Sequence, residues 1–306
     1  MSGIQAGLIW LNGKMVPQEE ARISVLAHAL HYGSSVFEGI RAYATEKGAA
    51  VFRLQEHTER LFNSAKIIRM PIPYSADEIN AAVKAVVKDN GYDACYIRPL
   101  AFRGGESLGL NPLPCPVEVM VAAWKWGTYL GDEAIEKGAK VVTSSWARSP
   151  GNVLPTKSKA GGNYINSSLA KADAISAGFD EAIMLDKEGY VSEGSGENIF
   201  FLKGKKMYAI AHSVTLTGIT RDSIFHVARD MGLEVQEVMA TRDELYTADE
   251  VFMTGTAAEV SPISSIDFRE IGSGRAGEIT REIRGRYMDI VTGKNPRYDH
   301  WLTYVE

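Results

Sequence analysis

The chain has only two cysteines, Cys95 and Cys115, which is too few for a disulfide framework, and neither has metal-ligand spacing. Both are expected to be buried small apolar side chains in a reducing compartment. No apolar run approaches the ~20 residues that span a bilayer, so no membrane partner is expected. Residues 1–10 lack a basic region and an adequate hydrophobic segment, which argues against a secretory signal. There is no basic excess either. The 33 Lys and Arg against 38 Asp and Glu leave a net charge of −5, which speaks against a nucleic-acid partner. Internal repeats and low-complexity tracts are missing. What remains is ordinary globular composition, 45% hydrophobic and 23% charged over 306 residues, enough for two domains of usual size. A cytoplasmic protein is the expectation.

The densest chemistry lies in residues 155–201. Lys159 stands directly before Ala160-Gly161-Gly162 and five residues before Tyr164, and Glu193 follows 34 residues later in the turn Glu193-Gly194-Ser195-Gly196-Glu197-Asn198. Taken singly, each piece is bland. A lysine beside Gly-Gly is usually a solvated loop residue, and an acid before Gly-Ser-Gly is usually a turn. Together they suggest more. A lysine amine attacks carbonyls where its surroundings lower its pKa. Glycines after it let backbone and cofactor approach. A carboxylate on a second rigid element can keep a pyridine nitrogen protonated, so that the ring serves as an electron sink. The combination suggests a site for pyridoxal 5′-phosphate.

The rest of the chain reads as alternating short elements. Leu8 to Pro17 is expected to be a β-hairpin on an Asn12-Gly13 turn. Residues 27–41 combine His28, His31, Tyr32, Phe37, Glu38, Gly39 and Arg41. With no third ligand nearby, a helix-to-strand transition with hydrogen-bonded histidines is preferred to a metal site. Residues 51–54 read as a strand, 56–65 and 76–90 as helices, and 94–100 and 117–123 as strands. On the strand 94–100, Tyr96 and Arg98 point the same way, suited either to an acidic substrate group or to a neighbouring acid. The aromatic, Gly-rich residues 125–134 read as a linker between domains 1–124 and 135–306. In the second half, residues 140–144, 181–186, 189–193, 198–202, 206–210 and 248–254 read as strands, with helices at 163–177 and 223–231. Residues 269–306 are expected to be helix plus tail. Thr217-Gly218-Ile219-Thr220 opens a helix whose amides would suit an anion, and Gly255-Thr256-Ala257-Ala258 is a tight turn with amides to offer.

Ser158-Lys159-Ala160-Gly161-Gly162-Asn163-Tyr164 and Glu193 to Asn198 resemble the signatures of the bacterial branched-chain aminotransferases, fold-type-IV pyridoxal-phosphate enzymes. His31-Tyr32-Gly33 through Arg41, Tyr96-Ile97-Arg98-Pro99, Gly218-Ile219-Thr220 and Gly255 to Glu259 agree in the same order. The resemblance implies an α+β, mixed α/β fold. Its parts would be a small N-terminal α/β domain and a larger C-terminal β-rich pseudo-barrel, with the active site at the domain interface. It implies transfer of the amino group from L-leucine, L-isoleucine or L-valine to 2-oxoglutarate, in making or breaking down branched-chain amino acids. In that reading Lys159 carries pyridoxal 5′-phosphate and later shuttles the proton, Glu193 meets the pyridine nitrogen and Tyr164 the ring O3′. Arg60, Ile219, Thr220 and Thr256 hold the phosphate. The substrate carboxylate meets Thr256 and Ala257 with help from Tyr96. Arg98 greets the distal carboxylate of glutamate, and Phe37, Gly39, Trp126 and Tyr129 line the side-chain pocket. Tyr32 and Leu110 would come from a neighbouring subunit, so a homodimer at least is implied, with a hexamer left open. No metal enters. Sister activities on the same fold remain open: D-amino-acid aminotransferase, R-selective amine aminotransferase and aminodeoxychorismate lyase. Tyr96-x-Arg98 with Gly255 to Ala258 favours the branched-chain type.

Overall fold

A computed structural model describes residues 4–127, 131–211 and 215–305. The chain divides into two compact units, one of Met1–Trp126, Ser158–Asn163 and Asp289–Glu306, the other of Gly127–Lys157 and Tyr164–Met288.

In the first unit, β1 (Leu8–Leu11) and β2 (Lys14–Pro17) pair antiparallel with Leu11 opposite Lys14. Asn12 and Gly13 between them both take positive φ, 47° and 90°, the geometry an Asn-Gly hairpin turn requires. A short helix α1 (His28–Tyr32) stops at Gly33, and β3 (Ser35–Phe37), β4 (Ile40–Thr45) and β5 (Gly48–Phe52) follow. The strand expected at 51–54 ends at Phe52, because Arg53 takes a left-handed φ of 50° and turns the chain into α2 (Leu54–Ile67). Helix α3 (Ala76–Asp89) starts on a capping box in which Ser75 and Glu78 satisfy each other's backbone amides. Strands β6 (Cys95–Arg103) and β7 (Val117–Trp124) complete this stretch. Leu61 and Ala65 of α2 and Ile79, Val83, Val86 and Val87 of α3 are buried in one core with Ile40, Val51, Ile97, Val119 and Val121 of the strands. Full burial of each such side chain contributes about 1.5–3 kcal/mol.

The second unit opens with α4 (Asp132–Lys137) and β8 (Ala139–Thr143), then α5 (Tyr164–Ser176). Strands β9 (Glu181–Leu185), β10 (Val191–Gly194), β11 (Asn198–Lys203) and β12 (Lys206–Ile210) come next. Helix α6 (Ile219–Asp230) begins four residues before the start read from sequence, because extended Gly218 serves as its N-cap. After it come β13 (Glu234–Val238), α7 (Arg242–Tyr246), β14 (Glu250–Gly255), β15 (Glu259–Ile266) and β16 (Arg269–Glu270). The sheet runs β10-β9-β8-β15-β14-β11-β12-β13, with β16 also on β15. Its pairings are antiparallel except β8 with β9, β8 with β15, and β12 with β13. Ile183, Ile199, Phe201, Val251, Met253 and Ile263 fill its core.

Helix α8 (Glu278–Val291) is followed by a 3₁₀ turn (Pro296–Trp301) and β17 (Leu302–Tyr304). The tail expected at 269–306 therefore ends as a strand, antiparallel to β5, and Trp301 and Leu302 are buried. The first unit's sheet has the order β17-β5-β4-β6-β7-β1-β2, with β3 also on β6. No helix among the described residues is long and apolar enough to cross a membrane.

Candidate active site

The lysine segment is built into the first unit by backbone contacts. Val36 and Ala160 form an antiparallel bridge, and the Phe37 N–H donates to the Lys159 carbonyl at 3.1 Å. From the other side, the Lys159 N–H donates to Ser64 Oγ at 2.9 Å, and Ser158 Oγ donates to the Ser64 carbonyl at 3.0 Å. Gly162 donates to the Gly33 carbonyl at 3.1 Å, and a Cβ on Gly33 would stand 2.8 Å from the Gly162 Cα. Here the Gly-Gly pair serves close backbone approach within the protein. Lys159 Nζ lies 5.1 Å from the centre of the Phe37 ring.

Around Phe37 the unit gathers half of the expected substrate residues. Tyr96 and Arg98 do share a face of β6, and Arg98 Nη2 donates to the Tyr96 hydroxyl at 3.0 Å. The Arg98 guanidinium stacks 4.6 Å from Phe37 and 5.3 Å from Tyr96. Trp126 meets Tyr96 edge-on at 4.5 Å, and Trp124 lies 5.1 Å from the same ring. Gly39 leaves room for the Tyr96 hydroxyl, which a Cβ there would overlap. Arg98 Nε is buried with no hydrogen-bond partner among the described residues. An aromatic box with one underused guanidinium can take an apolar chain and, at its edge, a carboxylate. Tyr129, expected in this wall, lies outside the described residues.

Arg60 projects from α2 onto Glu38. Its Nε and Nη2 donate to the two oxygens of Glu38, each at 2.7 Å, and His57 Nδ1 donates to Oε2 at 2.7 Å. Burial alone would raise the Glu38 carboxyl, but the Arg60 charge and the two side chains' hydrogen bonds outweigh it and hold it at about 2. Burial pushes His57 down, partly opposed by Glu38. The sequence reading assigns no role to Glu38 or His57. An acid inside the apolar run Val36 to Ile40, and His-x-x-Arg on one helix face, were the available signals.

Tyr32 and Leu110 are both exposed. The Tyr32 hydroxyl donates to the Leu108 carbonyl at 2.9 Å, and Leu110 is 82% exposed. His28 is buried and bonded to Ser34 Oγ and the Gly109 carbonyl, while His31 bonds the Val25 carbonyl. For His28 this is the buried, hydrogen-bonded role preferred from sequence, whereas His31 is exposed.

In the second unit Glu193 is buried on β10. Arg148 Nη2 donates to its Oε1, and Asn198 Nδ2 and the Leu216 N–H reach its Oε2 at 3.3 and 3.2 Å. Arg148 also donates to Ser167 Oγ at 3.0 Å and keeps Nε buried without a partner among the described residues. Its place in a loop after β8 carries no periodic signal, and sequence reading missed it. Tyr164 is half-buried at the start of α5. Ile219 and Thr220 are buried in the first turn of α6, whose N-cap has no side-chain hydrogen bond. Thr256 and Ala257 are half-buried in the turn from β14 to β15. Thr215 Oγ1 and Thr254 Oγ1 are buried with no partner among the described residues. A buried carboxylate, first-turn amides and idle hydroxyls suit a ligand with a basic nitrogen and an anionic group. Among the described residues, no group of three or more His, Cys, Asp or Glu could hold a metal.

Residues 35–266 match the amino-transferase class IV family. The branched-chain-amino-acid aminotransferase of Pseudomonas aeruginosa is 51% identical over 300 residues, 98% of each chain. A T.th. branched-chain amino acid aminotransferase with pyridoxamine 5′-phosphate superposes with a TM-score of 0.97 at 63% identity, covering 99% of this chain and 100% of that one. The same enzyme complexed with N-(5′-phosphopyridoxyl)-L-glutamate gives 0.96 at 61%, with the same coverage. The likeness spans the whole fold, both units and the segments holding Lys159 and Glu193, and the chain belongs to the class IV aminotransferases, among the branched-chain-amino-acid aminotransferases.

Proposed function

We propose that this chain transfers the amino group of L-leucine, L-isoleucine or L-valine to 2-oxoglutarate, reversibly, with pyridoxal 5′-phosphate as cofactor. The observation that carries this is the full-length likeness to enzymes of that name. The residues present fit the cofactor: Lys159 supplies an amine, Glu193 a buried carboxylate, and the start of α6 with Thr256 a set of anion donors. When bound, the cofactor provides an electron sink for the charge left when the substrate Cα loses its proton.

Every other task falls to the chain. Lys159 would hold the cofactor through Nζ, and the same amine would carry the proton that the substrate Cα gives up. Phe37 and Ser64 fix its backbone on both sides, so the amine works from a set position. Glu193, charge-paired with Arg148, stabilises a protonated ring nitrogen. Tyr164 donates to the ring oxygen. Arg60, Ile219, Thr220 and Thr256 bind the phosphate. Thr256 and Ala257 receive the substrate carboxylate, assisted by Tyr96. Phe37, Gly39, Trp126 and Tyr129 take the branched side chain, and Arg98 binds the distal carboxylate of the acidic co-substrate. One pocket thus serves both substrates in turn.

The same reading includes a cytoplasmic homodimer at least. Its support is a run of exposed large apolar side chains, Ile23, Val25, Leu26, Leu30 and Tyr32, with Leu110 exposed as well. Tyr32 and Leu110 would complete a partner's pocket from there.

The test is a visible absorption spectrum of the protein purified with pyridoxal phosphate. L-leucine should bleach the lysine-bound cofactor band, and 2-oxoglutarate should restore it. A band that responds only to a D-amino acid or a simple amine would move the assignment to a sister activity.

A further inference from the structure

Two consecutive residues hold two of the cations of the first unit's site. The Phe37 N–H fixes the Lys159 carbonyl, and the next side chain, Glu38, takes the Nε–Nη2 edge of Arg60. The Glu38 backbone is itself tied down, its N–H donating to the Pro99 carbonyl at 2.9 Å. Glu38 is fully buried, and His57, also buried, donates to its Oε2. A buried carboxylate with two oxygens and three donors has little room to rotate. An arginine on a helix face would ordinarily sample many rotamers, and arresting it on ligand binding costs side-chain freedom. Here the Glu38 carboxylate supplies that ordering from within the unit. The Arg60 side chain remains 13% exposed, so the pair is not sealed within the core.

We propose that Glu38, braced by His57, is a positioning residue that aims the Arg60 guanidinium at the phosphate of the cofactor. The inference rests on the reading of Arg60 as a phosphate ligand. Glu38 does not touch the phosphate. It acts through Arg60, by holding the guanidinium in one orientation.

The experiment compares binding of pyridoxal 5′-phosphate and of pyridoxal, which lacks the phosphate, to the cofactor-free protein, followed by absorbance. In E38Q the affinity for pyridoxal phosphate should fall tenfold or more, while that for pyridoxal changes less than twofold. Equal losses for both would mean that Glu38 supports the unit in general, and no loss for either would mean that Arg60 needs no aiming; either result overturns the proposal. R60A separates the two readings. If R60A erases the preference for the phosphorylated form and E38Q keeps it, Arg60 binds phosphate and the positioning role alone falls. If R60A also keeps the preference, the Arg60 reading fails and takes the proposal with it. Should E38Q not fold, E38D keeps the charge but draws it back by one methylene. It should lose the preference in the same way, and an unchanged preference would overturn the proposal.

Discussion

Arg148 donates through Nη2 to Glu193, and both side chains are largely withdrawn from solvent. Removing one member of such a pair leaves the other charge buried and unmatched, which costs about 3–5 kcal/mol. R148A should therefore lower stability and weaken cofactor binding together, whereas R148K should recover part of both. Urea denaturation and a pyridoxal-phosphate titration would check this. A variant as stable as the parent would show that Asn198 and the Leu216 amide suffice for Glu193.

K159A should abolish turnover, because the anchoring amine and the proton carrier are the same atom. Steady-state assay with L-leucine and 2-oxoglutarate tests it, and retention of most of the activity would refute the assignment of Lys159.

R98A should damage catalysis with glutamate and 2-oxoglutarate more than with leucine. The acidic chain would lose its partner, at ~2–5 kcal/mol, while the aromatic wall of Phe37, Tyr96 and Trp126 would still enclose an aliphatic one. The ratio of kcat/KM for the two substrate types is the readout. Equal losses would remove the dual use of one pocket.

Glu197 gives a pH dependence with a defined sign. Burial pushes its carboxyl up to about 8, helped by the charges of Glu181 and Glu193 and opposed by the Gly196 N–H and Lys171. The folded protein then holds a proton that the unfolded chain releases near 4.5. Stability from this group is full below the ordinary carboxylate range and is lost as pH rises towards about 8, at about 1.4 kcal/mol per pH unit. E197Q should flatten that slope, so its advantage over the parent grows between pH 5 and pH 8 in urea melts. Parallel curves for the two proteins would show that Glu197 is ionised throughout.

Much of the site was legible because its pieces are local. The Asn12-Gly13 turn, the alternation that puts Tyr96 beside Arg98, and the Lys159 and Glu193 segments each depend on residues adjacent in the chain. Pairings across long separations were not legible. Glu38 with Arg60 and Glu193 with Arg148 are joined only by the fold, and no period in the sequence marks an acid that will meet a particular arginine. The start of α6 lies before the expected one because the chain uses an extended glycine, Gly218, as its N-cap. The role of β17 was hidden for a similar reason. Three residues far from β5 in sequence become a strand only by pairing with it.

That last strand bears on how the protein can be divided. The first unit is not a continuous piece of chain: it takes Ser158–Asn163 and Asp289–Glu306 from elsewhere. A fragment ending at Trp126 would lack both the lysine and the strand that covers β5, leaving a free sheet edge open to pairing with other chains. A split of the chain between residues 126 and 158 would thus leave the N-terminal half without the strand that closes its sheet. The N-terminal half should be soluble only when the C-terminal segment is supplied with it.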